Sequence, residues 1–168
     1  MRGYLLDTCM IKYWFNNDDQ CHAAVCAHIE GLPEEAPLRV SAVSVGEIEY
    51  GHRVAAREYT PVQEELNRFV NDKLPEVLVV RASTATYYGR IRARLFNTFA
   101  PKGQRKHLRP EQLVDPVTAK ELGIQENDLW ITAQAFEHNL VLVTHDKMDH
   151  IRQVLEGELT LAIEDWAS

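Results

Sequence analysis

Glu126-Asn127-Asp128-Leu129-Trp130-Ile131-Thr132-Ala133-Gln134-Ala135-Phe136-Glu137-His138-Asn139-Leu140-Val141-Leu142-Val143-Thr144-His145-Asp146 is the stretch on which the fold turns. Leu129, Ala133 and Phe136 recur at helical offsets and mark one apolar helix face. Asn127 is expected to cap that helix, which places Asp128 in its positive first turn. His138 falls in the last turn, and Asn139 suits a left-handed C-terminal cap. Leu140 to Val143 is an unbroken apolar run, which predicts a strand buried on both faces of a parallel sheet. The helix runs back along the strand, so Asp128 and Asp146 are expected at the same rim. Open α/β sheets hold their ligands at that rim.

Upstream, two more strand–helix units carry acids at comparable points. Gly3-Tyr4-Leu5-Leu6 reads as a short strand ending in Asp7-Thr8, followed by helical stretches from Cys9 to Phe15 and Asp19 to Glu30. Leu38 to Val43 reads as a second strand. Ser44-Val45-Gly46-Glu47 has the spacing of a capping box, opening a helix to about Glu58. Thr60-Pro61 opens the next helix, with Val62, Leu66, Phe69, Val70 and Leu74 as its buried stripe. Val77 to Val80 is expected as a third buried strand. A helix from Ser83 or Thr84 then turns Tyr88, Ile91, Leu95 and Phe99 to the core, with Arg90 and Arg94 on another face. Pro101 ends it. The connection from about 101 to 125 lacks periodicity, apart from a short helical turn expected over Val117 to Leu122. Met148 to Leu155 predicts a last helix and Leu159 to Ile163 a last strand. This alternation predicts a three-layer α/β/α fold with a central, mostly parallel sheet, in one domain over residues 1–168.

A chain of 168 residues can bury a real core, and 45% hydrophobic with 26% charged residues is ordinary for a soluble protein. Apolar runs are too short to span a bilayer, and no signal-peptide pattern is present. Cys9, Cys21 and Cys26 have no disulfide or metal spacing, so reduced thiols in a cytoplasm are expected, away from any membrane. The net charge of −7 disfavours a polyanion partner, but it is unevenly spread. Arg81 to Pro110 holds eight of the 18 basic residues and no acid, which leaves ten basic residues against all 25 acids elsewhere. Such a stripe fits a polyanion held beside a carboxylate-rich site; it also fits a solvated helix face.

Asp7, Glu47, Asp128 and Asp146 thus converge on one rim. Four carboxylates there repel each other unless a cation is bound. Hard oxygen donors suit Mg2+ or Mn2+, which keep several waters and complete their shells with phosphate. No His and Cys cluster has zinc spacing. Singly, each acid has a plain structural use: Asp7 and Asp146 as turn residues, Glu47 in a capping box, Asp128 as a helix N-terminal charge. Four such uses do not require a shared rim.

The ordered set of motifs resembles the PIN-domain ribonucleases, and among them the VapC-type toxins of toxin–antitoxin pairs. The resemblance is carried by Leu5-Leu6-Asp7-Thr8, by Ser41 to Gly51, by Asn127 to Ala135 with Leu140 to Asp146, and by Ile163-Glu164-Asp165-Trp166. It implies a PIN-like fold and a Mg2+- or Mn2+-dependent endoribonuclease that cleaves RNA phosphodiesters with a metal-activated water. Asp7 and Asp128 take metal positions, supported by Glu47 and Asp146; Thr144 takes a hydroxyl position, and Thr8 assists at the first acid. A cognate antitoxin and a homodimer are also implied. The chain departs from that pattern in a basic insertion at about 101–125. With Arg90 and Arg94, its Lys102, Arg105, Lys106 and Arg109 are candidate RNA-backbone contacts. The alternatives are an RNA-processing PIN nuclease without an antitoxin and a non-catalytic PIN-like binding module. A phosphotransferase with a nucleophilic aspartate fits less well, because Asp7-Thr8-Cys9 has no second Asp two residues on.

Overall fold

Tyr4–Leu6 (β1) forms the middle of a five-stranded sheet. The structure is a computed structural model and describes residues 2–55, 61–74, 76–103, 107–156 and 161–168. Leu38–Ser41 (β2) and Val141–Val143 (β4) flank β1, and Val77–Leu78 (β3) and Ile163–Glu164 (β5) form the edges. The order is β3-β2-β1-β4-β5, and every pairing is parallel. Leu6 stands opposite Val40 on one side and Val143 on the other. The chain lays down β1, β2 and β3 outward, then crosses back to add β4 and β5. The strand order therefore reverses between β1 and β4, and the crevice beyond their C-terminal ends is the switch point of the sheet.

Side-chain alternation along the strands divides the core into two layers. Leu6, Val40, Val141 and Val143 pack with Met10 and Ile11 of Thr8–Phe15 (α1), Val25 of His22–Glu30 (α2), Ile48 of Ala42–Ala55 (α3) and Leu66 of Pro61–Lys73 (α4). Leu5 and Leu142 face the opposite way. They pack with Ile91 and Leu95 of Ala82–Phe99 (α5), Leu129 of Glu126–Glu137 (α6) and Ile151 of Asp149–Leu155 (α7). Leu140 to Val143 is buried throughout, as an interior strand requires. Asn139 takes a positive φ of 51° at the joint from α6 to β4, the left-handed cap expected of it. Among the described residues no helix is long and apolar enough to cross a membrane.

Several local expectations change. The helix α3 begins at Ala42, two residues before Ser44, so Ser44 is buried inside it and the expected capping box does not form. Ser41 caps instead, its hydroxyl accepting from Val43 N at 2.9 Å, and Glu47 is left for other partners. Gln125, not Asn127, precedes α6 as its cap. The third strand is reduced to two residues with only Leu78 buried, because β3 is an edge: Val79 and Val80 are exposed. On α4, Val62 is exposed and Gln63 takes its place inward, donating to Glu49 of α3. Thr60 and Leu159 lie outside the described residues.

The expected helical turn over Val117–Leu122 is a hairpin turn. Asp115 accepts from the Val117 and Thr118 amides at 2.9 and 2.7 Å, the side-chain chemistry that favours turns over helix. Ala119 and Gly123 take positive φ, and Val114 bridges Glu121 antiparallel. Leu113, Leu122 and Ile124 are buried in the α5–α7 layer, so this part of the connection has its own apolar anchors.

Candidate active site

β1 carries the chain straight into the switch-point crevice, and Asp7 is the first residue past its end. Asp7 N still donates to Val143 O at 2.9 Å, so the backbone of the neighbouring strand fixes where the side chain starts. Only 4% of Asp7 is exposed. Its Oδ1 accepts from Thr8 N at 2.6 Å, and its Oδ2 accepts from Thr144 Oγ1 at 2.8 Å. Thr144 Oγ1 in turn accepts from Asp146 N at 3.1 Å. One hydroxyl therefore ties the acid after β1 to the turn after β4.

Glu47 reaches the same crevice from α3. Thr8 Oγ1 donates to its Oε2, and Asn127 Nδ2 donates to its Oε1 at 2.8 Å. Both oxygens are thus held by protein donors from two other elements. Asp128 sits in the first turn of α6, where Oδ2 accepts from Gln125 N at 2.7 Å. That turn is braced from outside: Tyr88 of α5 stacks on Trp130 with centroids 3.9 Å apart and donates to Glu126, while Glu126 N donates to Glu111 at 2.8 Å.

All four acids line one cleft of about 800 Å³, together with Thr8, Cys9, Asn127, Lys12 and Lys147. The convergence expected from sequence is therefore present. It is not symmetric. The tightest group is Asp7, Asp146 and Cys9, whose potential donor atoms all lie within 4.8 Å of one another. Burial raises the Asp7 pKa, with the charges of Asp146 and Glu47 adding to it against hydrogen bonds from Thr144 and Thr8. Asp128 is pushed up to about 7, first by burial and then by Asp7, Asp146 and Glu47, against the Gln125 amide. A carboxylate cluster that resists its own ionisation is one a divalent cation would stabilise. Cys9 is pushed up to about 12, chiefly by burial and by Asp7, so it stands as a neutral thiol. That leaves oxygen donors, which fit a hard divalent ion better than zinc.

The basic candidates lie elsewhere. Arg90 and Arg94 are on α5, and Arg94 Nη1 donates to Val154 O at 3.0 Å, tying α5 to α7. Lys102 and Arg109 are exposed in the connection beyond α5. None of these four lines the acidic cleft. Arg105 and Lys106 lie outside the described residues. Sequence reasoning overlooked Asn127 as a partner of Glu47, taking it for a cap, and Cys9, Lys12 and Lys147 as cleft residues. Each is an immediate or near neighbour of an assigned acid, the one signal that could have found them.

Residues 4–154 match the family model of the PIN domain. The chain belongs to the PIN-domain family. Among solved structures it is similar to a chain of VapBC2 from Rickettsia felis bound to a DNA fragment from the pair's promoter. That match has 22% identity and a TM-score of 0.68, covering 97% of this chain and 98% of that one. It is also similar to VapBC-1 from nontypeable Haemophilus influenzae (19% identity, TM-score 0.65, 98% of each chain). FitAcB from Neisseria gonorrhoeae is a third (21% identity, TM-score 0.62, 95% of each chain). These likenesses show the fold. No curated protein matches the chain.

Proposed function

We propose that this chain is the nuclease of a toxin–antitoxin pair, a divalent-metal-dependent endoribonuclease acting in the cytoplasm. The observation that carries the reading is Asp7: a buried carboxylate at the switch point, held on both oxygens, with Asp146, Asp128 and Glu47 in the same cleft. Asp7 and Asp146, with Asp128, would hold Mg2+ or Mn2+. Such an ion, when bound, activates water and neutralises charge developing on a phosphodiester. Thr144 keeps Asp7 aimed into the cleft, and Thr8 and Asn127 keep Glu47 turned toward it. Arg90, Lys102 and Arg109 would attract the RNA backbone from outside the cleft. The likeness to VapBC chains supports a cognate antitoxin as partner, and the family resemblance supports a homodimer.

The test is cleavage of a mixed RNA pool in Mg2+, in Mn2+ and in EDTA. Cleavage is expected with either cation and not with EDTA. It should fall roughly 100-fold or more in Asp7→Asn, as when a transition-state electrostatic contact is removed. Cleavage that persists in EDTA, or at wild-type rate in Asp7→Asn, sinks the assignment.

A further inference from the structure

The cleft holds two cations as well as four acids. Lys12 is on α1, one turn beyond Thr8, and Lys147 directly follows Asp146; both line the cleft and both are exposed. Two ammonium groups beside four carboxylates would ordinarily close ion pairs. Here neither forms a hydrogen bond or ion pair through its side chain with any described residue. Asp7, Glu47 and Asp128 instead accept from the Thr144 hydroxyl, the Asn127 side-chain amide and the Gln125 backbone amide. The same cleft is lined by Tyr50, a residue 70% exposed, and by Tyr13, whose ring meets His145 edge-on at 6.1 Å. An exposed tyrosine beside unpaired lysines has the chemistry of a base platform next to phosphate contacts.

We propose that Lys12 and Lys147 bind backbone phosphates of the substrate and that Tyr50 stacks on an unpaired base beside them. This rests on the nuclease reading given above and adds the path of the strand. The phosphates run between the two lysines, past the acids, and the bases turn toward α3. A duplex keeps its bases stacked inside and offers Tyr50 none, so paired RNA serves as the control for the stacking role. The arginines of α5 are then outer attractions, and the cleft's own cations set the register.

Binding of a fluorescent single-stranded RNA and its duplex is measured across a salt series in the Asp7→Asn background, which blocks turnover. Lys12→Ala and Lys147→Ala are each expected to weaken single-strand binding and to make the slope of log affinity against log salt shallower by about 0.7. Tyr50→Ala weakens single-strand binding several-fold, Tyr50→Phe restores it, and duplex binding is weak and indifferent to both. All these side chains are exposed, so unchanged melting temperatures are expected, and a variant that melts early is replaced by Lys12→Gln or Lys147→Gln. If affinity and slope are unchanged in both lysine variants while the wild type cleaves RNA, the proposed path is wrong, the nuclease reading stands, and the rim is left for a protein partner. If both lysine variants lose slope but the wild type never cleaves, the path is right and the nuclease reading is wrong. If no RNA binds at all, both fall.

Discussion

Asp7 and Asp128 both resist ionisation chiefly because they are buried, and each gives a test at the level of one atom. Asp7→Asn keeps an oxygen for the Thr8 amide and turns a side-chain amide N–H toward Thr144, whose hydroxyl oxygen can accept from it. Asp128→Asn keeps the bond from Gln125 N. Both should therefore stay folded, and without metal each should melt at or above the wild-type temperature, since a repelling charge is gone. Both should lose cation-dependent cleavage; if either cleaves like wild type, that residue is not in the site. The pH dependence follows from the raised Asp128. A raised carboxyl binds its proton more tightly in the folded chain than in the unfolded one. In EDTA, the contribution of Asp128 to stability is therefore fully present below its ordinary value of 3.8 and is lost as pH rises through about 7. Thermal melts in EDTA should fall between pH 5 and 7.5, the fall should shrink in Asp128→Asn, and added Mg2+ or Mn2+ should reverse it. A flat profile in EDTA would contradict the burial argument. That Asp7, Asp128 and Asp146 share a cleft was legible in the sequence because each follows or opens a regular element, whereas Glu47 reaches it from the second turn of α3. That Glu47 is gripped by Asn127 was not, because the contact joins residues 80 positions apart.

At the scale of elements, the central strands were legible and the edges were not. Leu140 to Val143 announces itself by being apolar at every position, and it is buried at every position. Val77 to Val80 has the same composition, but it lies where the sheet stops. Composition cannot tell a flanked strand from an edge; only the strand order can. Leu142→Ala should accordingly cost about 2–5 kcal/mol, as a fully buried leucine truncated to alanine does. Val79→Ala should stay within about 0.5 kcal/mol, as for a surface change. Chemical denaturation of the two variants compares them directly, and equal losses would mean that β3 is more enclosed than its exposure indicates. The start of α3 was misplaced for a related reason. Ser41 and Ser44 both have cap chemistry, and the end of β2 decides between them.

For the whole molecule, charge governs the partner. The cleft is lined by four acids and the net charge is −7, so the antitoxin proposed above is expected to insert a basic side chain among the carboxylates. Arginine gives the strongest form because its planar fork matches paired carboxylates. A structure of the complex should show a partner Arg or Lys within hydrogen-bond reach of Asp7, Glu47, Asp128 or Asp146; a complex with none there would rule out blockade by charge. The three-layer fold was legible from the order of strands and helices. The connection beyond α5 was not: its buried Leu113, Leu122 and Ile124 follow no regular period, because a hairpin turn rather than a helix spaces them. Finally, the bond from Thr144 to Asp7 spans 137 positions of sequence. Synthesis delivers Asp7 with β1, but its hydroxyl partner and Asp146 come only after β4 has been made, and β4 must then pair with β1. A growing chain on the ribosome therefore carries its acids unassembled from the synthesis of β1 to that of β4. The RNA-cutting activity proposed above is therefore withheld from a growing chain until β4 has been made and has paired with β1.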